Sequence, residues 1–233
     1  MPLTFGEKVQ LFNSRIEFKS DLPDGIRIMN PFKNNPETLL ISDQFYSKFF
    51  NDTNKRFIVL GINPGRLGAG TTGIPFTDTL RLNEKCGIPV HHIRTFEPSS
   101  AFIYEMIDAY GGVEKFYGRF LISAICPLGF TKDSTRGKVV NYNYYDSKEL
   151  TNAVYNFILT SLRQQLEFGI DSDICFCLGT GKNDSFLRKL NQEQNLFKTI
   201  VTLEHPRYIM QYKSKFRNEF IKKYINAFRQ SAL

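Results

Sequence analysis

The chain has 233 residues, 42% of them hydrophobic, 14% aromatic and 23% charged, which supports a single domain over residues 1–233 and excludes disordered and low-complexity proteins. Thirty Lys and Arg residues against 23 Asp and Glu residues give a net charge of +7, so the surface should attract polyanions. Neither a membrane-spanning apolar run nor a secretory signal is evident, and we expect a soluble, cytoplasmic protein.

Short apolar runs alternate with helical patterns along the chain. The runs cover residues 57–61, 120–125, 174–178 and 199–203. Because each run is continuously apolar, it is typical of a buried parallel strand. We therefore predict an α/β fold with three layers (α/β/α), a short, mainly parallel four-stranded sheet, and helical cover from the first 50 or so residues.

Capping residues and periodicity predict the helices. Ser99 or Ser100 should cap a helix over 101–110, and Ser147 should cap a long helix through Leu166 that Gly169 ends. Another helix is predicted over 184–190. After His205-Pro206 comes a basic amphipathic segment, whose apolar side carries Phe216, Phe220, Ile221, Tyr224, Ile225 and Phe228.

Residues just after the strands are the candidates for chemistry, because ligands of parallel sheets bind at the carboxyl ends of the strands. These ends carry Asn63 with the glycine-rich stretch Gly65, Gly68, Gly70 and Gly73, then Ser123 to Pro127, Gly179 to Lys182, and His205 to Tyr208. Glycines allow backbone amides to approach a phosphate or a flat base. The Gly179-Thr-Gly-Lys182 turn lacks the spacing of a phosphate loop, so a nucleotide-binding enzyme is a weaker alternative.

Cysteine and histidine spacing gives no metal motif. Cys86, Cys126, Cys175 and Cys177 contain no CxxC pair, and buried, reduced thiols are expected. No carboxylate or cysteine lies at ligand spacing from His91-His92, which we interpret as a surface loop. Residues 141–145, Asn-Tyr-Asn-Tyr-Tyr, are expected to form a polar loop over the cleft, with stacking on single-stranded bases as an alternative.

The order of motifs resembles the uracil-DNA glycosylase superfamily. GINPGRLGAGTTGIPFT, residues 61–77, is similar without a gap to the GMNPGPFGMAQTGVPFG pattern of the single-strand-selective monofunctional (SMUG) branch. Cys126-Pro-Leu128 and His205-Pro206 follow in the family's order, and nearly the whole chain is collinear with it. The resemblance implies removal of a damaged base by hydrolysis of its bond to deoxyribose, without metal, cofactor or covalent intermediate.

Site residues follow from the resemblance. Asn63 would position the water and His205 would stabilise the departing base, although His205 could instead cap local structure. Phe76 would stack on the flipped base, unless it is an ordinary core aromatic. Main-chain groups of Gly65, Gly68, Ala69 and Gly70 would line the pocket.

The DNA partner, single- or double-stranded, would be held by basic and apolar residues after His205. Arg207, Tyr208, Ile209 and Met210 combine a cation with wedge-like side chains, and the family's longer His-Pro-Ser-Pro-Arg-Asn form is shortened here. Lys182 and Lys213 are further candidates for phosphate contact, with a solvated Lys182 as the alternative. We expect a monomer.

One departure from the family concerns base selection. The family places an asparagine two residues before Cys-Pro-Leu, and that position is Ala124 here. Ser123 replaces the amide only if the strand bulges, because neighbouring strand residues point to opposite faces. We therefore expect looser selection, with hypoxanthine or xanthine admitted beside uracil. Some branches of the superfamily carry a bulky tyrosine where this chain has Gly65, which leaves space beside uracil C5, so 5-hydroxymethyluracil is a further candidate. A lesion-binding module without catalysis is the remaining alternative.

Overall fold

The protein folds into seven strands and eleven helices within the part that this computed structural model describes, residues 2–91 and 93–230. The strands are β1 (Ile26–Met29), β2 (Arg56–Gly61), β3 (Phe120–Ala124), β4 (Gly129–Asp133), β5 (Val139–Tyr142), β6 (Ile170–Leu178) and β7 (Thr199–Leu203). The helices are α1 (Phe5–Arg15), α2 (Pro31–Asn34), α3 (Pro36–Phe49), α4 (Ala69–Thr72), α5 (Thr79–Glu84), α6 (Pro98–Tyr110), α7 (Val113–Tyr117), α8 (Lys148–Leu166), α9 (Lys182–Gln194), α10 (Pro206–Tyr212) and α11 (Arg217–Gln230).

The four predicted strands form one parallel sheet in the order β3-β2-β6-β7, which confirms the predicted α/β fold. Both faces of this sheet are covered, because β2 keeps Ile58, Val59 and Leu60 at 0 to 1% exposure. On one face Phe228 of α11 packs against Phe120 of β3, with ring centroids 4.8 Å apart. The continuous apolar character of the runs therefore reflects burial between two helical layers.

A second, antiparallel sheet in the order β1-β4-β5 was not predicted. Its strands have only four or five residues and are largely exposed at one end, as Val139 and Val140 show at 40% and 39% exposure. Such strands lack the apolar run that marks the buried sheet. This sheet also corrects the predicted loop over 141–145, because residues 141 and 142 belong to β5.

Helix boundaries differ from the predictions where a cap was misassigned. The Ser147 hydroxyl accepts a hydrogen bond from the Leu150 N–H and starts α8 as predicted. Helix α6 instead starts at Pro98 with Glu97 as its N-cap, so the Ser99 or Ser100 cap was wrong. Proline at the first helical position has no N–H to satisfy, which explains the earlier start.

The basic C-terminal segment is two helices, α10 and α11, joined by a short 3₁₀ turn over Ser214–Phe216. Ile221, Tyr224, Ile225 and Phe228 are buried as predicted. Phe216 is half exposed and does not join the core, because it lies in the turn between the helices rather than on the apolar face of α11.

Candidate active site

A cavity of about 290 Å³ opens where β2, β3 and β7 end, at the carboxyl edge of the parallel sheet. Its walls come from the segment after β2, the start of α6, the segment after β5, and α10. The residues lining it are Gly61 to Gly65, Ala69, Pro75, Phe76, Glu97, Ser99, Ser123, Ala124, Asn141, Asn143, Tyr145, His205, Arg207, Tyr208, Gln211 and Tyr212.

Asn63 lies in this cavity with its amide held by the last residue of β5 and by the segment after it. Its Oδ1 accepts a hydrogen bond from the Tyr144 N–H at 3.1 Å, and its Nδ2 donates to the Tyr142 carbonyl at 3.3 Å. A carbonyl oxygen has a second lone pair, which stays available for another donor. The amide is thus fixed in orientation and can still hold a water molecule.

His205 lines the same cavity and is the N-cap of α10. Its Nδ1 accepts a hydrogen bond from the Arg207 N–H at 3.1 Å. Burial and, secondarily, the Arg207 cation lower the pKa of His205 to about 4, so the ring is neutral at pH 7. Since Nδ1 accepts, the ring proton of the neutral form is on Nε2, which makes that nitrogen a donor. The two interpretations of His205 from the sequence, as a cap of local structure and as a hydrogen-bond donor to the base, are therefore compatible.

Phe76 forms part of the cavity wall with a constrained backbone. Its φ is +53°, a conformation uncommon for a bulky residue, and its ring lies 5.5 Å from the His205 ring between centroids. A Cβ at Gly61 would lie 2.8 Å from Cε2 of Phe76, so only glycine fits under this ring. The segment that contains Phe76 is closed by Thr72, whose hydroxyl donates to the Thr77 carbonyl at 2.7 Å.

The glycine-rich stretch is shaped by close contacts of its backbone. Gly65 and Ala69 line the cavity, whereas Gly68 and Gly70 do not. A Cβ on Gly68 would lie 2.1 Å from Oε2 of Glu97, and one on Gly70 would lie 2.7 Å from the Gly65 carbonyl oxygen. Gly70 is therefore required for packing of the loop, because its Cβ would meet a backbone atom, whereas the Glu97 carboxylate beside Gly68 is the movable end of a side chain.

Ser123 and Ala124 both reach the cavity, but the Ser123 hydroxyl faces another layer. The pairing of β2 with β3 runs without a break from Phe57–Phe120 to Gly61–Ala124, so β3 has no bulge here. The Ser123 hydroxyl donates to Oε1 of Gln165 on α8. It is thus not oriented to replace the amide that Ala124 lacks.

Two polar residues of the cavity were not singled out from the sequence as readers of a base. Asn143 follows β5 and places a half-buried carboxamide in the wall, next to Tyr145. The Asn143 N–H donates to the Asp146 carboxylate at 2.7 Å, which orders this turn. The aromatic and amide-rich segment over residues 141–145 is evident in the sequence. Its contact with Asn63, however, depends on the second sheet, which was not predicted.

Glu97 is the second missed residue and the carboxylate of the cavity. Burial, then the Asp78 carboxylate, raises the pKa of Glu97 to about 7, while Arg207 acts in the opposite direction. Its backbone N–H donates to Asp78 at 2.8 Å, and its side chain makes no capping hydrogen bond to α6. Nothing in the sequence pairs residue 97 with the glycine-rich stretch about 30 residues earlier, so only the tertiary structure reveals it.

The predicted DNA-contacting residues of α10 divide by exposure. Arg207 and Tyr208 line the cavity mouth, Lys213 is exposed just beyond the helix, and Met210 is half-buried in an adjoining cavity. Ile209 is 0% exposed. Its assignment to the DNA-contacting residues was therefore wrong, because residue 209 is on the inner face of the amphipathic helix.

The Gly179-to-Lys182 turn has a structural explanation. The Asn183 side chain, 2% exposed, donates to the Leu178 carbonyl at 3.1 Å and accepts from the Tyr144 hydroxyl at 2.9 Å. Residue 183 thus links β6 to the segment that holds Asn63 rather than facing a phosphate. Lys182 starts α9 outside the cavity, with its ammonium 5.9 Å from the centroid of the Tyr145 ring.

Cysteines and metal-ligand groups are distributed as follows. The four cysteines are free and buried, and burial raises the pKa of Cys86 to about 11 and of Cys126 to about 12. Over residues 2–91 and 93–230, no three His, Cys, Asp or Glu side chains cluster as metal ligands would. His91 is exposed, and His92 lies outside the described residues. None of the described helices combines the length and apolarity needed to cross a membrane.

Comparisons with known proteins agree with this geometry. A search among proteins of curated function gave no match. The crystal structure of wild-type SMUG2 from Pedobacter heparinus is 54% identical in sequence, covers 99% of each chain and superposes with a TM-score of 0.97. The family model "Uracil DNA glycosylase superfamily" matches residues 47–229. The chain, whose Asn63 and His205 meet in one cavity at the carboxyl edge of its sheet, therefore belongs to the uracil DNA glycosylase superfamily.

Proposed function

We propose that this protein is a DNA glycosylase that removes uracil, and other deaminated bases, by hydrolysis of the N-glycosidic bond in base excision repair. The observation that carries the proposal is that an oriented amide, Asn63, and a neutral imidazole donor, His205, line one cavity. Its volume of about 290 Å³ suits a single base and excludes a duplex. The target nucleotide must therefore be extruded before it reacts.

Asn63 acts on the water. As the bond between C1′ and the base nitrogen breaks, its electron pair leaves with the base and the sugar becomes cationic at C1′. The water oxygen then bonds to C1′, and the proton that it loses passes to the departed base anion, which is released as the neutral base. Such an electrophile needs a correctly placed water more than a strong base, and Oδ1 of Asn63 holds that water while Tyr144 fixes the amide.

His205 acts on the departing base. Its Nε2–H donates to the carbonyl oxygen on which negative charge develops, and the Arg207 N–H fixes the ring from the other side. Phe76 stacks on the extruded base, because its ring lies in the wall beside His205. Among the described residues, no lysine lines the cavity, which supports hydrolysis without a lyase step.

Base selection is set by what surrounds Ala124. The Ser123 hydroxyl donates its proton to Gln165, so β3 offers no side-chain hydrogen-bond donor to the edge of the base. Asn143 also lines the cavity, on a turn where its backbone N–H and its carboxamide both donate to Asp146. Without an amide at residue 124 the edge of the base is read less strictly, which supports excision of hypoxanthine, xanthine and 5-hydroxymethyluracil beside uracil.

DNA is held by the exposed face of α10. Arg207 and Lys213 supply cations for the backbone, and Tyr208 and Tyr212 are 43% and 66% exposed with ring centroids 5.7 Å apart. Aromatic rings at the mouth of a base pocket are suited to stack on unpaired neighbours. No cofactor takes part in the proposed reaction, and one chain provides every residue assigned to it.

The test is excision from labelled single- and double-stranded oligonucleotides that carry uracil, hypoxanthine, xanthine or 5-hydroxymethyluracil, followed by alkaline cleavage of abasic sites. Uracil excision is expected in the absence of metal, and Asn63→Ala is expected to abolish it while preserving binding. Binding of uracil-containing DNA without any abasic product would overturn the proposal in favour of a lesion-binding module.

A further inference from the structure

A second cavity, of about 370 Å³, adjoins the first at the surface. The two cavities share Glu97, Ser99, Asn141, Arg207 and Gln211 in their walls. The remaining wall of the second cavity is formed by Leu67, Pro98 and Met210. Apart from the DNA contacts predicted for Arg207 and Met210, no role assigned above uses this space.

The chemistry of the second cavity combines an apolar surface with polar groups at one side. Leu67, 56% exposed, and the half-buried Met210 provide the apolar part. Glu97 and the carboxamides of Asn141 and Gln211 provide the polar part. The Asn141 Oδ1 is fixed by the backbone N–H and Nε of Arg66, at 3.3 and 3.2 Å. A flat, partly apolar ring with hydrogen-bonding groups along one edge matches this arrangement.

We propose that the second cavity binds the unpaired base next to the extruded nucleotide, and that Glu97 favours a neighbour that bears an exocyclic amino group. This inference rests on the proposed function, since it takes the first cavity as the site of the extruded base. Carboxylates accept hydrogen bonds from cytosine N4 and from other amino groups of bases. Thymine offers an oxygen at the corresponding position, which an ionised carboxylate repels.

Charge distinguishes a base from a phosphate as the occupant. A phosphate in the second cavity would face the Glu97 carboxylate, which opposes its binding. Arg207 stands in the wall common to both cavities, where the phosphate that links two successive nucleotides would pass. Arg207 is thus placed to contact the DNA backbone, and Glu97 is placed to contact the edge of a base.

The ionisation of Glu97 gives the proposal a pH dependence. The charged groups that act on it are Asp78 on the loop before α5 and Arg207 on α10, while Asn141 on β5 is neutral. Burial and Asp78 raise the pKa of Glu97 to about 7. At pH 8 the group is an acceptor alone, whereas at pH 6 it carries a proton and also donates to a thymine oxygen. Discrimination against thymine should therefore be present at pH 8 and decrease at pH 6.

The experiment uses single-stranded oligonucleotides with one uracil and with cytosine or thymine at the 5′ or the 3′ neighbouring position. Uracil excision by the full-length protein is measured at pH 8 as a function of oligonucleotide concentration. We expect a preference for cytosine of about fivefold at one of the two positions, expressed in KM rather than in kcat, since one good base contact discriminates at this level or above. Glu97→Gln should reduce it to less than twofold, because the amide both donates and accepts.

Two further variants complete the test. Glu84→Gln changes the net charge equally at an exposed residue outside both cavities and should retain the preference. Gln211→Ala, on the outer face of α10, should weaken the preference without loss of folding. Equal KM values for cytosine and thymine at both positions, with uracil still excised, would overturn the inference and leave the proposed function intact. Absence of excision would instead refute the proposed function, and affinities of the same oligonucleotides, measured by fluorescence anisotropy, would then decide the inference.

Discussion

The dual position of His205 allows a prediction that separates catalysis from stability. Its Nδ1 caps α10 through the Arg207 N–H at 3.1 Å, and its Nε2 faces the cavity. We compare His205→Asn with His205→Ala. Asparagine is among the best N-cap residues but is too short to place a donor where Nε2 lies, whereas alanine removes both functions.

The magnitudes follow from these two contacts. Loss of a preorganised donor to a developing anion costs about 3–4 kcal/mol, so both variants should excise uracil about 100- to 1000-fold more slowly. Loss of a side-chain cap costs about 0.5–2 kcal/mol, and for a chain of this size each kcal/mol lowers Tm by about 2–4 °C. His205→Ala should therefore melt several degrees below the wild type, and His205→Asn should melt close to it.

The assays are single-turnover excision of uracil from a single-stranded oligonucleotide and thermal melting at the same pH. The Asn63→Ala variant serves as a reference for lost catalysis with an intact α10 cap. If His205→Asn retained excision within threefold of the wild type, the assignment of His205 to the leaving base would be wrong. If His205→Ala melted with the wild type, the capping argument would fail instead.

Further predictions concern the loop, the base edge and pH. Gly70→Ala should reduce both stability and excision, because its Cβ would lie 2.7 Å from the Gly65 carbonyl oxygen, a backbone atom that cannot move aside; melting and single-turnover assays check this, and an unchanged Tm would contradict it. Ala124→Asn restores the family's amide at the edge of the base and should increase the ratio of uracil to hypoxanthine excision about tenfold, from one added paired hydrogen bond; an unchanged ratio would show that residue 124 does not read the base. Since the pKa of His205 is lowered to about 4, the unfolded chain binds more protons between about pH 6.5 and 4, so the free energy of unfolding should fall as pH decreases through this range. Urea denaturation at pH 7 and pH 5 should show a larger loss for the wild type than for His205→Asn, and equal losses would contradict the cause given for the shift.

Sequence patterns located the main sheet and most of the functional candidates at the carboxyl ends of its strands, because both depend on residues that are close in the chain. Continuous apolar runs indicated the four parallel strands, and the residues after them supplied Asn63 and His205. Burial on both faces imposes that apolar pattern on each strand separately. The cap at Ser147 was equally local, since a hydroxyl and an N–H three residues later suffice to form it.

Segments of the chain with few buried side chains gave weaker sequence predictions. The strands of the second sheet are short and half exposed, and the polar turn after β5 resembled an independent loop. The inward orientation of Ile209 depended on where α10 begins, which the sequence left open across a longer basic segment. If the start of a helix is assigned one residue too early or too late, the predicted direction of every later side chain is wrong by about 100°.

The sequence by itself determined the order along the chain of the four parallel strands and of the helices that follow them, and it placed an amide and an imidazole after two of the strands, because an apolar run or a helix cap is formed by residues close in the chain. Tertiary structure alone decided which side chains share the cavity with them. Glu97 comes to the glycine-rich stretch through the start of α6, and the Tyr142 carbonyl and the Tyr144 N–H come to Asn63 through the β1-β4-β5 sheet. These contacts join segments that are distant in the chain, and their energies depend on packing and desolvation that no local pattern encodes.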